Sequence, residues 1–358
     1  MEEKTKDRIL VLAIRAIGDV VLVTPLFRHL KTQHPTAYLA VLADGTSAQV
    51  LEHNPHIDQI LVIDRAASRT WPLAKRLKAW GRIVSDIRDG QFDVVIDLFS
   101  GPRSAMLAWL SRAADRYGED YRSALRGFFY NHRISVVRDG RHLVEQKLDI
   151  IAPLVGRVAC QDSSLEISLT EEEQAKAQTV LWKGHAHPPR VVGLIPASGS
   201  LYRNWPPERF AELGDRLVET FKADVLLLGG ADAVTICRHV SSMMRQPHRD
   251  FSGQTTLREL LAMLAEMDMV VSNVTGPMHL AVALHRPQVI ALYGAADIVQ
   301  YAPWGPTGTL LTKGTPVDAY WHHVDYRRDH DWLRQITVDD VWRHVQALLA
   351  EPLSARHS

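Results

Sequence analysis

A chain of 358 residues, 46% hydrophobic and 23% charged, has the make-up of a globular protein long enough for two cores. Its 41 Lys and Arg balance 41 Asp and Glu, which argues against a general nucleic-acid binder; no run approaches the ~20 apolar residues of a membrane span. Cys160 and Cys237 lie far apart without metal-ligand spacing and read as small buried residues in a reducing cytosol, and the charged opening leads straight into a strand, so no secretory signal is expected.

Residues 8–14 form a continuous apolar run, the pattern of a central strand in a parallel sheet. Gly18-Asp19 follows, then a helix over 20–31 that Pro25 is expected to kink or delay. Strands are expected at 38–42, 60–63 and 93–97, and helices at 80–88 and 104–114. This alternation implies a parallel, doubly wound α/β sheet. Residues 101–150 carry nine Lys and Arg against six Asp and Glu and show little clear periodicity. Arg122, Arg126, Arg133, Arg138 and Arg141 suit a solvated surface singly, and as a group a phosphate-bearing or anionic partner.

Residues 166–183 are polar with little strand character and end in Gly-His-Ala-His-Pro-Pro. A linker over 171–189 is expected there, between domains at 1–170 and 190–335. The second half repeats the alternation, with strands at 190–195, 224–228, 269–272 and from 287. Its helices are expected at 207–221, 233–244, 257–266, 278–284 and 337–349. Thr337 caps the last of these, with acids in its first turn as the helix dipole favours. Two doubly wound halves make a cleft between them the expected binding site.

Four turns carry the polar chemistry. Thr275-Gly276-Pro277 joins a buried strand to a short helix, and such a turn presents backbone N–H groups to an anion, with His279 as a further donor. An ordinary crossover has the same outline. Gly18-Asp19 ends the first strand, where a carboxylate is either a helix cap or a base. Pro196-Ala-Ser-Gly-Ser200 has residues small enough for backbone to approach phosphate, and Arg203 follows to neutralise it. Leu228-Gly-Gly-Ala-Asp232 places Asp232 to meet a hydroxyl or amine. None of these is a GxGxxG or Walker A motif, which counts against NAD and ATP hydrolysis; no metal constellation or GxSxG elbow occurs.

The run Arg15-Ala-Ile-Gly-Asp-Val-Val-Leu-Val-Thr-Pro25 resembles the opening motif of the lipopolysaccharide heptosyltransferases of glycosyltransferase family 9. Asn54-Pro-His-Ile-Asp58, Arg116-Tyr-Gly118, Tyr130-Asn-His-Arg133, the stretch from Arg203 to Phe210, Leu228-Gly-Gly230 and the stretch from Thr275 to Ala281 are similar in the same order. The resemblance implies a GT-B fold: two Rossmann-like doubly wound domains facing a cleft, and a C-terminal helix at 336–358 that packs back on the first. It implies inverting, metal-independent transfer of heptose from ADP-heptose to a lipopolysaccharide core, with no cofactor beyond the nucleotide sugar. On that pattern Asp19 is the general base. Ser198, Gly199 and Arg203 approach the donor diphosphate, Asp232 the nucleoside, and Thr275, Gly276, Met278 and His279 form the diphosphate turn. Arg122, Arg126 and Arg133 would meet an anionic glycolipid acceptor, and the expected location is cytoplasmic, at the inner face of the membrane.

The chain departs from the pattern in two places. The family commonly has Asp before the Thr/Ser-Gly pair, where this chain has Val274. Another nucleotide sugar, or sugar-nucleotide binding without turnover, is therefore a live alternative, whereas a Rossmann dehydrogenase is disfavoured. Residues 311–333 lack the cysteines of many members, and His322, His323 and His330 there read as surface residues.

Overall fold

Among the described residues all strand pairs are parallel, and they form two six-stranded sheets, one in each of two compact units, Met1–Ser168 and Leu169–Ser358. The structure is a computed structural model, and it describes residues 8–64, 71–120, 128–138, 140–159, 162–183, 190–200, 203–294, 298–313 and 332–350. Arg122, Arg126, Cys160, His322, His323 and His330 lie outside the described residues.

The first unit contains β1 (Arg8–Ala13), β2 (Tyr38–Asp44), β3 (Gln59–Ile63), β4 (Val94–Asp97), β5 (Asp115–Glu119) and β6 (His132–Ile134), in the order β3-β2-β1-β4-β5-β6. Its helices are α1 (Ile17–Val21), α2 (Thr24–Gln33), α3 (Gly45–Ala48), α4 (Leu73–Asp89), α5 (Pro102–Leu110) and α6 (Leu143–Val155). The strand cores are apolar on both faces, as helices on both sides of a parallel sheet require. The single helix expected over 20–31 is two. The chain breaks at Leu22-Val23, and Pro25 takes the second position of α2, where its missing N–H costs nothing.

The second unit repeats this topology. Its strands are β7 (Val191–Ile195), β8 (Asp224–Leu227), β9 (Arg249–Asp250), β10 (Met269–Asn273), β11 (Gln288–Tyr293) and β12 (Gly308–Thr312), ordered β12-β11-β10-β7-β8-β9. In both units the order reverses between the first and fourth strands, so a crevice opens at their carboxyl ends, β1/β4 in one and β7/β10 in the other. The helices are α7 (Glu171–Leu181), α8 (Pro207–Phe221), α9 (Val234–Met243), α10 (Leu257–Ala265), α11 (Gly276–Ala283) and α12 (Val338–Leu349).

The segment expected as a linker is helical as far as Leu181. Thr170 caps α7, its hydroxyl accepting from the Glu173 N–H at 3.2 Å, and the Glu173 carboxylate answers the Thr170 N–H at 2.8 Å. Arg258 of α10 then grips that carboxylate at 2.7 and 2.6 Å. Only Ala177 and Leu181 of α7 are buried, too thin a stripe to show as periodicity. Thr337 caps α12 as expected, accepting from the Asp340 N–H at 3.1 Å. The stripe Val338, Val341, Val345 and Leu349 is buried in the second unit's own core with Trp205, Phe210 and Leu213. Packing of residues 336–358 on the first domain stays a proposal. Cys237 is buried as expected, and burial pushes its thiol up to about 12.

Candidate active site

In the first unit β1 runs into α1, whose N-cap residue is Ala16, with no side-chain cap bond. Asp19 sits at the third helical position and accepts instead from Arg15 Nε at 3.0 Å. Of the two readings of Asp19, the cap is therefore the one that this geometry does not support. Its side chain is only 11% exposed, against 50% for Arg15. Burial raises the carboxyl's proton affinity above the ordinary range; Arg15 opposes that, and Lys147 does so more weakly. The result is a sheltered carboxylate at a strand end, poised to take a proton.

Around it lies a buried charge cluster that the sequence did not announce. Lys147 of α6 has its ammonium 3.7 Å from Glu119, the last residue of β5, and 5.1 Å from the centre of the Phe99 ring. The Arg15 guanidinium stands 5.5 Å from the same ring. Arg138 also holds Glu119, through Nε at 2.8 Å and through Nη2. Burial lowers the proton affinity of Lys147, while Glu119 restores part of it. Asp97, wholly buried at the end of β4, accepts from Tyr130 Oη at 2.7 Å and from the Ser100 and Phe99 N–H groups at 2.9 and 3.2 Å. Burial raises its proton affinity and those bonds oppose the rise. One signal was legible: Lys147 falls on the apolar stripe of α6 beside Leu143, Val144, Leu148 and Ile151, where a lysine has to be neutralised.

The arginines of 101–150 divide. Arg138 serves Glu119, and Arg141 binds Asp149 at 2.5 and 3.2 Å, so both are internal ion pairs, which corrects their reading as a group facing a ligand. Arg133 is exposed on β6.

In the second unit the crevice between β7 and β10 is closed underneath by Asn273, a buried residue that the sequence reading missed. Its Oδ1 accepts from the Trp205 N–H at 2.9 Å and its Nδ2 donates to the Pro196 carbonyl at 2.7 Å, tying two strand ends and one loop together. Trp205 is itself fully buried, donating from Nε1 to the Ile336 carbonyl at 2.8 Å and meeting Phe210 edge-on at 5.0 Å. In the loop so anchored, the Ser198 N–H donates to Asn204 Oδ1 at 2.8 Å and the Arg203 N–H to the Ser200 carbonyl at 2.9 Å. Ser198 and Arg203 are half-buried and Gly199 is exposed.

Across the crevice, Thr275 occupies the N-cap position of α11 without a side-chain cap bond. The cradle of N–H groups is thinner than expected. Pro277 has none, and the Met278 N–H turns back to the Thr275 carbonyl at 3.1 Å. Gly276, at the first helical position, keeps an N–H that the helix does not use. Met278 is fully buried and His279 nearly so, beneath half-buried Val274 to Pro277. One strand over, Gly229 turns the chain after β8; a Cβ there would lie 2.3 Å from that of Ala233, so only glycine fits. Asp232 follows, exposed, in the 3-10 turn Ala231–Ala233. The structure thus brings Ser198, Gly199, Arg203, Thr275 and Gly276 to adjacent strand ends, with Asp232 at the next. Among the described residues no cluster of His, Cys, Asp or Glu has the make-up of a metal site. None of their helices is long and apolar enough to cross a membrane.

Residues 80–319 match the profile of glycosyltransferase family 9 (heptosyltransferase). The chain is 24% identical over 347 residues to lipopolysaccharide heptosyltransferase 3 of Escherichia coli K12, covering 94% of this chain and 97% of that protein. It is 23% identical to lipooligosaccharide heptosyltransferase 2 of Haemophilus ducreyi, covering 96% and 99%. Among solved structures, a family 9 glycosyl transferase from Veillonella parvula is similar with a TM-score of 0.83 at 24% identity, covering 98% and 99% of the two chains. The E. coli heptosyltransferase WaaC with ADP is similar with a TM-score of 0.74 at 20% identity, covering 95% and 99%. The fold is that of the GT-B class.

Proposed function

Because the chain belongs to glycosyltransferase family 9, we propose that this glycosyltransferase moves heptose from ADP-heptose to a lipopolysaccharide core acceptor, with inversion and without a metal. The observation that carries the reading is the likeness to heptosyltransferases of two genera over nearly the whole chain. In the reaction, the acceptor hydroxyl oxygen bonds to the anomeric carbon as the bond from that carbon to the diphosphate oxygen breaks. Asp19 takes the hydroxyl proton, and its burial supports that role by keeping proton affinity up. The departing ADP gains charge, which Arg203, the Gly276 N–H and the positive end of α11 stabilise as the sugar acquires oxocarbenium character. Ser198, Gly199, Thr275 and His279 shape the diphosphate site, Met278 supports it from below, and Asp232 meets a ribose hydroxyl. The exposed Arg133, with Arg122 and Arg126, meets acceptor phosphates.

Val274 favours a second reading, a different nucleotide sugar, since it removes a carboxylate beside the sugar. One hydrogen bond is worth about 0.5–1.5 kcal/mol net, so ADP binding itself survives the loss. Calorimetry with ADP, UDP and GDP, without divalent cation, followed by transfer from ADP-heptose, separates the two. Binding of ADP with heptose turnover is expected, and Val274→Asp should change turnover more than ADP affinity. Binding of UDP or GDP with none of ADP would overturn the heptosyl assignment and leave the GT-B one.

A further inference from the structure

The helical layer of α4 and α5 departs from the rule that a helix turns its polar side to water. Both helices pack on one face of the first sheet through Ile83, Ile87, Ala105, Leu107 and Ala108. Every residue from 72 to 78 is exposed, and this run includes Leu73 at 68% and Leu77 at 63%, one turn apart. They continue outward the stripe that reaches the core only at Trp80 and Ile83. On α5, Met106 and Trp109 are exposed on the side away from the sheet. Phe129 stands edge-on to Trp109 at 6.4 Å, and Phe128 beside it is 74% exposed.

The outer end of α4 and the whole of α5 carry charge of one sign in a chain that is neutral as a whole, while the acids of α4, Asp86 and Asp89, sit at its far end. Residues 71–85 contain Lys75, Arg76, Lys78 and Arg82 and no acid, and residues 99–114 contain Arg103 and Arg112 and no acid. Lys75 stands 4.2 Å from the centre of the Trp71 ring, so the cation and the aromatic occupy one spot. Leucines and aromatic rings beside lysines and arginines, with the acids of α4 confined to Asp86 and Asp89 at its other end, match the boundary between acyl chains and anionic headgroups.

We propose that the outer face of α4 and α5 docks the protein on an anionic lipid bilayer, with Leu73, Leu77, Trp109 and Phe128 entering the headgroup boundary and Lys75, Lys78 and Arg103 engaging lipid phosphates. This goes beyond the transfer reaction and does not depend on its donor or its base.

The test is co-sedimentation of the full chain with phosphatidylcholine vesicles, with and without phosphatidylglycerol. Binding should require phosphatidylglycerol and weaken with salt, because headgroup attraction decays over a Debye length of ~10 Å at 0.1 M. Lys75→Glu with Lys78→Glu should lower partitioning by roughly tenfold or more, at ~1 kcal/mol per cation near the surface. Leu73→Ser with Leu77→Ser should lower it by a similar factor while the salt dependence of the remainder persists. All these side chains are exposed, so both variants should keep the wild-type melting temperature and ADP calorimetry, which separates docking from folding and from the donor reading. Equal binding to neutral and anionic vesicles, or no binding at low salt, would overturn the proposal. So would either double variant binding as wild type does. A concentration-dependent dimer abolished by the leucine variant, with no vesicle binding, would make a second copy of the chain the occupant instead.

Discussion

Asp19→Asn keeps the shape of the side chain and removes its charge and its capacity to take a proton. Burial holds the folded-state pKa of Asp19 above its ordinary value of 3.8, with Arg15 as the leading counterweight. For a raised acid, stability is fully present below the unfolded pKa and is lost as pH rises through the folded one. At neutral pH the ionised carboxylate therefore burdens the fold, and asparagine does not. What the variant gives up is the contact with Arg15, which is 50% exposed and worth ~0–1 kcal/mol after screening. The melting temperature at neutral pH should hold or rise slightly. Turnover should fall ~10²–10⁴-fold, the range for a positioned base, or ~3–5 kcal/mol of barrier. Steady-state transfer at saturating donor measures the loss, and ADP calorimetry should be unchanged because the residues proposed to hold the donor lie in the other unit. In wild type kcat/KM should fall on the acid side as Asp19 takes up its proton, and the variant should lack that limb. Near-normal turnover with a clearly lowered melting temperature would refute the base and leave a structural carboxylate.

Three further outcomes follow from the same geometry. Lys147→Met removes a cation that favours ionised Asp19, so the acid limb of kcat/KM should move to higher pH; an unmoved limb would show that Lys147 does not bear on Asp19. Asn273→Ala strands the buried Trp205 N–H and Pro196 carbonyl, at ~1–3 kcal/mol each, and should lower the urea midpoint and weaken ADP binding together. Arg258 heads the causes that hold Glu173 at about 2, below its ordinary 4.5. A depressed acid loses its contribution as pH falls, so the advantage of wild type over Glu173→Gln, at most ~3 kcal/mol, should shrink between pH 4.5 and about 2 in acid unfolding.

The central strands could be read from the sequence because burial on both faces writes itself as an apolar run, as in Arg8–Ala13 and Met269–Asn273. β5 could not. Its sequence is Asp-Arg-Tyr-Gly-Glu, and the buried Glu119 is tolerable only because Arg138 and Lys147 neutralise it from 19 and 28 residues away, a pairing that no local window contains. The same pairing explains why Arg138 passed for a surface charge. Pro25 was legible as an interruption, although whether it bends one helix or opens a second depends on the turn at Leu22-Val23. At the sites, the glycine turns and Asp19 stand out because their residue types are unusual after apolar strands. Asn273 does not, since its partner Trp205 lies 68 positions away and its amide is spent inside the protein.

The two units share one strand order and one switch point, yet chemistry of opposite kinds collects there. At β1/β4 the strand ends gather Asp19 and Asp97, with Glu119 and Lys147 close by, ionisable groups that are buried or, for Asp19, largely sheltered. Such a set is suited to moving a proton, because each member's proton affinity is set by burial and by its neighbours. At β7/β10 the strand ends carry Pro196, Asn273, Val274 and Gly276, all uncharged, and the anchoring of the loop falls to a neutral amide. A carboxylate in the position of Asn273 could accept from the Trp205 N–H but could not donate to the Pro196 carbonyl, and it would repel any anion held at Gly276. The amide does both tasks without charge, which leaves Arg203 and the N-terminus of α11 as the local positive features. The backbone topology is common to both crevices; what differs is which side chains the strand ends deliver. The proposed anion site and the proposed base site therefore share a duplicated scaffold without either one's charge being placed among the other's strand ends.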